Sequence, residues 1–125
     1  MQRVIVESPY AGDIERNLAY ARAACRDCLL RGESPYASHL LYTQPGILDD
    51  SIPEERDLGI RAGLEWSLSA SKVVFYLDHG WSAGMHLALT WHRGFRKSIE
   101  YRYLYPQSPE ETPPCSTLTE SPMPD

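Results

Sequence analysis

The apolar positions of this chain switch between two periods. Arg3-Val4-Ile5-Val6-Glu7 is a short β-branched run closed by Ser8-Pro9, which predicts a buried strand ending in a turn. From Asp13 the period lengthens: Ile14, Leu18, Ala21, Cys25, Cys28 and Leu29 recur at three and four, with Asp13 placed to cap a helix and Gly32 to stop it. Pro35-Tyr36-Ala37-Ser38 reads as a weak second strand, followed by a loop from His39 to Ile52 that carries Pro45-Gly46 and Asp49-Asp50. Loops of that length inside a compact domain tend to be functional or mobile.

Ser51-Ile52-Pro53-Glu54 has the form of a capping box with proline in the first turn, opening a second helix through Leu58, Ala62 and Trp66 to about Ser69. Gly59 and Gly63 leave a strip on it without side chains, suited to close packing against a sheet or a partner. Lys72-Val73-Val74-Phe75-Tyr76-Leu77 is the strongest strand signal, closed by Asp78-His79-Gly80. A third helix is expected from about Gly84 to Gly94 and a last strand over 98–104. The order β-α-β-α-β-α-β demands right-handed crossovers. It predicts an α/β fold, a three-layer flavodoxin-like parallel sheet with helices on both faces.

Composition narrows the function classes. At 125 residues the chain fits one domain. Seventeen acidic against 12 basic residues, a net charge of -5, argue against an electrostatic grip on nucleic acid or anionic lipid. No apolar run approaches the ~18 residues of a membrane span, and Glu7 interrupts any signal-peptide core, so a cytoplasmic protein is expected. From Pro106 onward there are four acids, no Lys or Arg, and six of the ten prolines, which predicts a domain over 1–105 and a disordered acidic tail over 106–125.

Three cysteines suit a reducing compartment. Cys25 and Cys28 form a CxxC without the second pair a structural zinc site needs, and read as small core residues. His86 and His92 fall on different sides of the third helix, so neither a metal nor a cofactor is expected.

In open parallel sheets, ligands bind at the carboxyl ends of strands where adjacent connections leave toward opposite faces. With the first strand between the second and third, that crevice is walled by Ser8-Pro9-Tyr10-Ala11-Gly12-Asp13 and by Asp78-His79-Gly80-Trp81-Ser82-Ala83-Gly84. Both loops run into helix N-termini, whose free amides and positive dipole ends suit a phosphate or sugar-phosphate. Neither loop is a GxGxxG or a Walker sequence, which disfavours hydride transfer and P-loop phosphoryl transfer.

Those two loops, together with Asp49-Asp50-Ser51-Ile52-Pro53-Glu54-Glu55-Arg56, resemble the nucleoside 2-deoxyribosyltransferase-like superfamily over about residues 3–104, and most nearly a poorly characterised branch frequent in phage genomes. The resemblance implies a flavodoxin-like sheet, a homodimer or higher oligomer, and a pocket for a nucleoside or nucleoside monophosphate. Enzymes of the superfamily attack the N-glycosidic bond with a glutamate four residues after the glycine of Ser-x-Gly-x-x-x-Glu. In Ser82-Ala83-Gly84-Met85-His86-Leu87-Ala88 the serine and glycine match and the nucleophile is alanine. Alanine can neither attack an anomeric carbon nor stabilise an oxocarbenium-like transition state.

The expected ligand-binding residues are Ser8, Tyr10, Gly12, Asp13, His39, Asp78, Trp81, Ser82, Gly84 and Met85, with the loop from His39 to Ile52 shaping the base side. Three readings follow. One is a nucleotide-binding protein without turnover, sequestering an ADP-ribose-like signal as a phage anti-defence protein. Another is an N-glycosidase or deoxyribosyltransferase whose catalytic carboxylate is Glu7 or Asp78 at a strand end. A structural subunit with a vestigial pocket is the third.

Overall fold

The side-chain alternation along the first strand divides the interior in two. Val4 and Val6 join Tyr20, Ala24, Cys28, Val74 and Tyr76 on one face of the sheet. Ile5 joins Ala70, Val73 and Phe75 on the other, with Ala88, Leu89 and Tyr101 packed against them. The computed structural model describes residues 1–106 and 117–120. The elements are β1 (Arg3–Glu7), α1 (Ile14–Leu30), β2 (Ser34–Tyr36), a 3-10 turn (Ser38–Leu40), α2 (Pro53–Leu68), β3 (Lys72–Tyr76), α3 (Ala83–Gly94), β4 (Ser98–Arg102) and β5 (Thr117–Glu120).

The sheet order is β2-β1-β3-β4-β5. Its first four strands are parallel, with Val6 opposite Val74 and Phe75 opposite Tyr101. β1 lies between β2 and β3, so α1 leaves to one face and α3 covers the other. This is the expected three-layer flavodoxin-like α/β fold, and it opens its crevice at the carboxyl end of β1 and β3. No helix among the described residues is long and apolar enough to cross a membrane.

Two of the three helix starts follow the sequence. Asp13 accepts from the Arg16 amide at 3.2 Å, and Ser82 Oγ accepts from the Met85 amide at 3.2 Å. The capping box read at Ser51 does not form. Ile52 is the N-cap, with no side-chain bond to the helix, while the Ser51 amide and hydroxyl donate to Asp49 at 3.0 and 2.6 Å. A local aspartate turn competes for the same hydroxyl and wins.

The sheet takes in part of the segment read as a disordered tail. Thr117–Glu120 pairs antiparallel with β4, Thr117 opposite Arg102 and Glu120 opposite Ile99. Composition measures what side chains can bury, and an edge strand is held through backbone groups that β4 otherwise leaves unpaired. The rest of that segment, 107–116 and 121–125 with Cys115, lies outside the described residues. Truncation after Tyr105 is therefore expected to cost stability, by about 2 kcal/mol for a four-residue ladder, read as a lower melting temperature.

The glycine strip on α2 is filled from within the chain. A Cβ on Gly59 would stand 3.2 Å from Leu48 Cδ1, and one on Gly63 would stand 3.5 Å from Ser38 Cβ. The strip is thus the seat of the 38–48 segment rather than of a partner. Leu58, Ile60, Trp66 and Leu68 remain exposed on the same helix.

Candidate functional site

The loop after β1 is held from α1. Asn17 Nδ2 donates to the carbonyls of Tyr10 and Ala11 at 2.9 and 3.1 Å, and Gly12 takes φ +99°, which side chains disfavour. Tyr10 is thereby set against His39, their rings stacked with centroids 4.7 Å apart. The Thr43 hydroxyl donates to the His39 carbonyl at 2.5 Å and fixes that turn. Burial lowers the pKa of His39, against the pull of Glu7 and Asp50, so its ring is neutral at pH 7. Ser8 is buried beneath the loop.

Glu7 ends β1 on the face that carries Ile5. Its Oε1 lies 3.4 Å from His92 Nε2, and its side chain keeps 21% exposure. His92 is fully buried on α3, with its ring edge-on to Trp91. The sequence reading used His92 only to argue against a metal. The available signal was its position four residues after Ala88, on the same helix face.

At the start of α3, Ser82 caps the helix and the first-turn amides of Ala83 and Gly84 have no intrahelical partner. A Cβ on Gly84 would meet nothing closer than Ser82 Oγ at 3.9 Å, so the backbone here is open to approach. Met85 is a different case. Its side chain is buried and its amide is taken by Ser82, which leaves it nothing to offer a ligand.

Asp78 is spent inside the chain. It accepts from the Tyr20 hydroxyl and from the amides of Leu104 (2.7 Å) and Tyr105 (3.0 Å), while its own amide donates to the Tyr20 oxygen at 2.9 Å. It ties the end of β3 to α1 and to the chain leaving β4. Trp81 packs on Phe75, Tyr101 and His86 and closes the β3–β4 end of the second core. Asp13 is committed to its cap. The structure thus assembles Glu7, Ser8, Tyr10, Gly12 and His39 at the end of β1, and Ser82 with Gly84 at the start of α3. It gives Asp78, Trp81, Met85 and Asp13 other work.

Beside His39, residues Ser38, Tyr42, Asp50, Arg56 and Gly59 enclose about 40 Å³, room for a few waters and too little for a nucleoside. Among the described residues no cluster of His, Cys, Asp and Glu has the arrangement of a metal site. Burial pushes Cys25 up to about 11 and raises Cys28 as well, the reverse of a reactive thiol pair.

The fold is an α/β domain of flavodoxin-like architecture. The structure superposes on the solved 2-deoxyribosyltransferase from the psychrotolerant bacterium Bacillus psychrosaccharolyticus with a TM-score of 0.59, at 15% identity, over 85% of this chain and 75% of that one. That likeness is one of fold. Residues 2–102 match the family described as Domain of unknown function (DUF7768), and the chain belongs to that family. No curated protein matches the chain.

Proposed function

We propose that the crevice between the β1 loop and α3 binds a nucleoside or a nucleotide-derived small molecule and lacks the covalent chemistry of a deoxyribosyltransferase. The carrying observation is Ala88, whose side chain packs against the second core where the resemblance calls for a nucleophilic glutamate. The stacked Tyr10–His39 pair offers a flat aromatic wall for a base. The free amides of Ala83 and Gly84 offer donors for a phosphate or sugar oxygen. Held without turnover, the ligand is sequestered; an ADP-ribose-like signal withdrawn from a host defence system, by a phage protein, is the specific form of this reading. The exposed apolar side chains of α2 support a homodimer.

Incubation with a panel of nucleosides, nucleoside monophosphates and ADP-ribose, followed by mass spectrometry of the bound and free fractions, tests it. Intact ligand is expected in the bound fraction. Ser82→Ala is expected to weaken binding by about 1–3 kcal/mol through the loss of one hydroxyl and of the order it imposes on the α3 amides. A second reading, N-glycosidase activity, draws on Glu7, a partly exposed carboxylate at the strand end. Free base released by the native protein and lost in Glu7→Gln would establish that reading and displace the first.

A further inference from the structure

We infer that Glu7 is the sugar-recognition residue of this crevice and that His92 is the positioning residue that aims it, an assignment that rests on the nucleoside-binding reading above. His92 is fully buried, and its Nδ1 has no hydrogen-bond partner among the described residues. A buried ring nitrogen left as an unmet acceptor costs less than one left as an unmet N–H. The favoured tautomer therefore carries its proton on Nε2, the nitrogen 3.4 Å from Glu7 Oε1.

That bond fixes one oxygen of the carboxylate and leaves the other. Oε2 has no partner among the described residues, on a side chain with 21% exposure at the carboxyl end of β1. Two further rings feel the same charge. Glu7 acts on His39, which stacks on Tyr10, and on Tyr36, whose phenol burial already raises. Its charge thus reaches the ring that stacks on Tyr10.

His92 also bears on Ala88. The two side chains lie one turn apart on one face of α3, and His92 reaches Glu7, so the carboxylate of this site rises from the strand toward a helix face that has none of its own. A carboxylate with one oxygen held by the protein and the other open is an acceptor for hydroxyls. In a nucleoside site the hydroxyls available are those of the sugar. An acidic side chain at the end of a parallel strand serves that purpose in other α/β nucleotide sites.

The test is calorimetric titration with the four ribonucleoside 5′-monophosphates and their 2′-deoxy and 3′-deoxy counterparts. It uses the native protein, Glu7→Gln, Glu7→Ala, His92→Gln and His92→Leu, each checked for a cooperative melt. In the native protein, loss of the hydroxyl that faces Glu7 is expected to weaken binding roughly tenfold to a hundredfold. Glu7→Ala is expected to bind both forms of the sugar alike, and the isosteric Glu7→Gln to retain only part of the preference. His92→Leu is expected to shrink the preference, and His92→Gln, whose amide places a donor near the lost Nε2, to restore it. Rescue of this kind would not follow if His92 were a packing residue alone. Binding with a sugar preference unchanged in Glu7→Ala overturns the inference and leaves the binding reading standing. Absence of binding by every member of the panel to the native protein overturns the reading itself, and the inference with it.

Discussion

Replacing Arg102 with methionine is expected to lower stability by about 3–5 kcal/mol, the cost of removing one partner from a buried ion pair. Arg102 is 1% exposed and grips Glu33 with two parallel bonds, both 2.7 Å. It also donates to the Tyr76 hydroxyl at 3.1 Å and to Glu100. Lys72 completes the group, 2.8 Å from Glu33 and 3.1 Å from Glu100, so two cations balance two carboxylates. Without Arg102, Lys72 alone faces both acids in a largely buried site. For a domain of this size the loss corresponds to a fall of melting temperature on the order of 15–30 °C, measured by circular dichroism. Adding Glu33→Gln to Arg102→Met is expected to cost less than the sum of the two single changes, because it removes the stranded charge.

The same network sets an acid limit. The Arg102 bonds hold Glu33 down to about 2, from an ordinary 4.5, with burial opposing them and Lys72 assisting. Because the folded value lies below the unfolded one, the stabilisation is complete above pH 4.5 and is lost as pH falls from there toward 2. Denaturant titrations across that window are expected to show a steep loss of stability in the native protein and a shallower one in Arg102→Met.

The second large effect belongs to Asp78. Asp78→Ala strands the amides of Leu104 and Tyr105 and the Tyr20 hydroxyl, and is expected to destabilise the fold by about 2–4 kcal/mol. Hydrogen exchange at Leu104 and Tyr105 is expected to quicken in step with the fall in melting temperature. A variant that melts like the native protein and has lost only ligand affinity would return Asp78 to the binding site that the sequence resemblance gave it.

Asp78 shows why a motif position is a weak guide to a side chain's use. The sequence places an acid after the third strand, and nothing local to it announces that Tyr20 and the chain beyond β4 converge there. Trp81 and Met85 also take contacts that their place in the motif does not announce. Met85 is buried with its sulfur facing the Ser82 amide, while Trp81, 37% exposed, stacks over Phe75, Tyr101 and His86. Tyr10 and His39 stack because each follows a short strand, and parallel neighbours end at the same edge.

What the sequence determined by itself is the set of elements held by short-range periodicity and caps. The apolar alternation of β1 and β3, the three-and-four spacing of α1, and the caps at Asp13 and Ser82 are interactions within a few residues. Strand and helix in alternation then leave one handedness of crossover, while the sheet order is seen only in the folded chain. Only the tertiary structure decided the rest. Glu7 meets His92 across 85 residues, and Arg102 meets Glu33 across 69. β5 joins β4 through backbone bonds, which no hydrophobic pattern records. Such contacts depend on which surfaces pack together, and a buried polar group takes the partner that packing puts within reach.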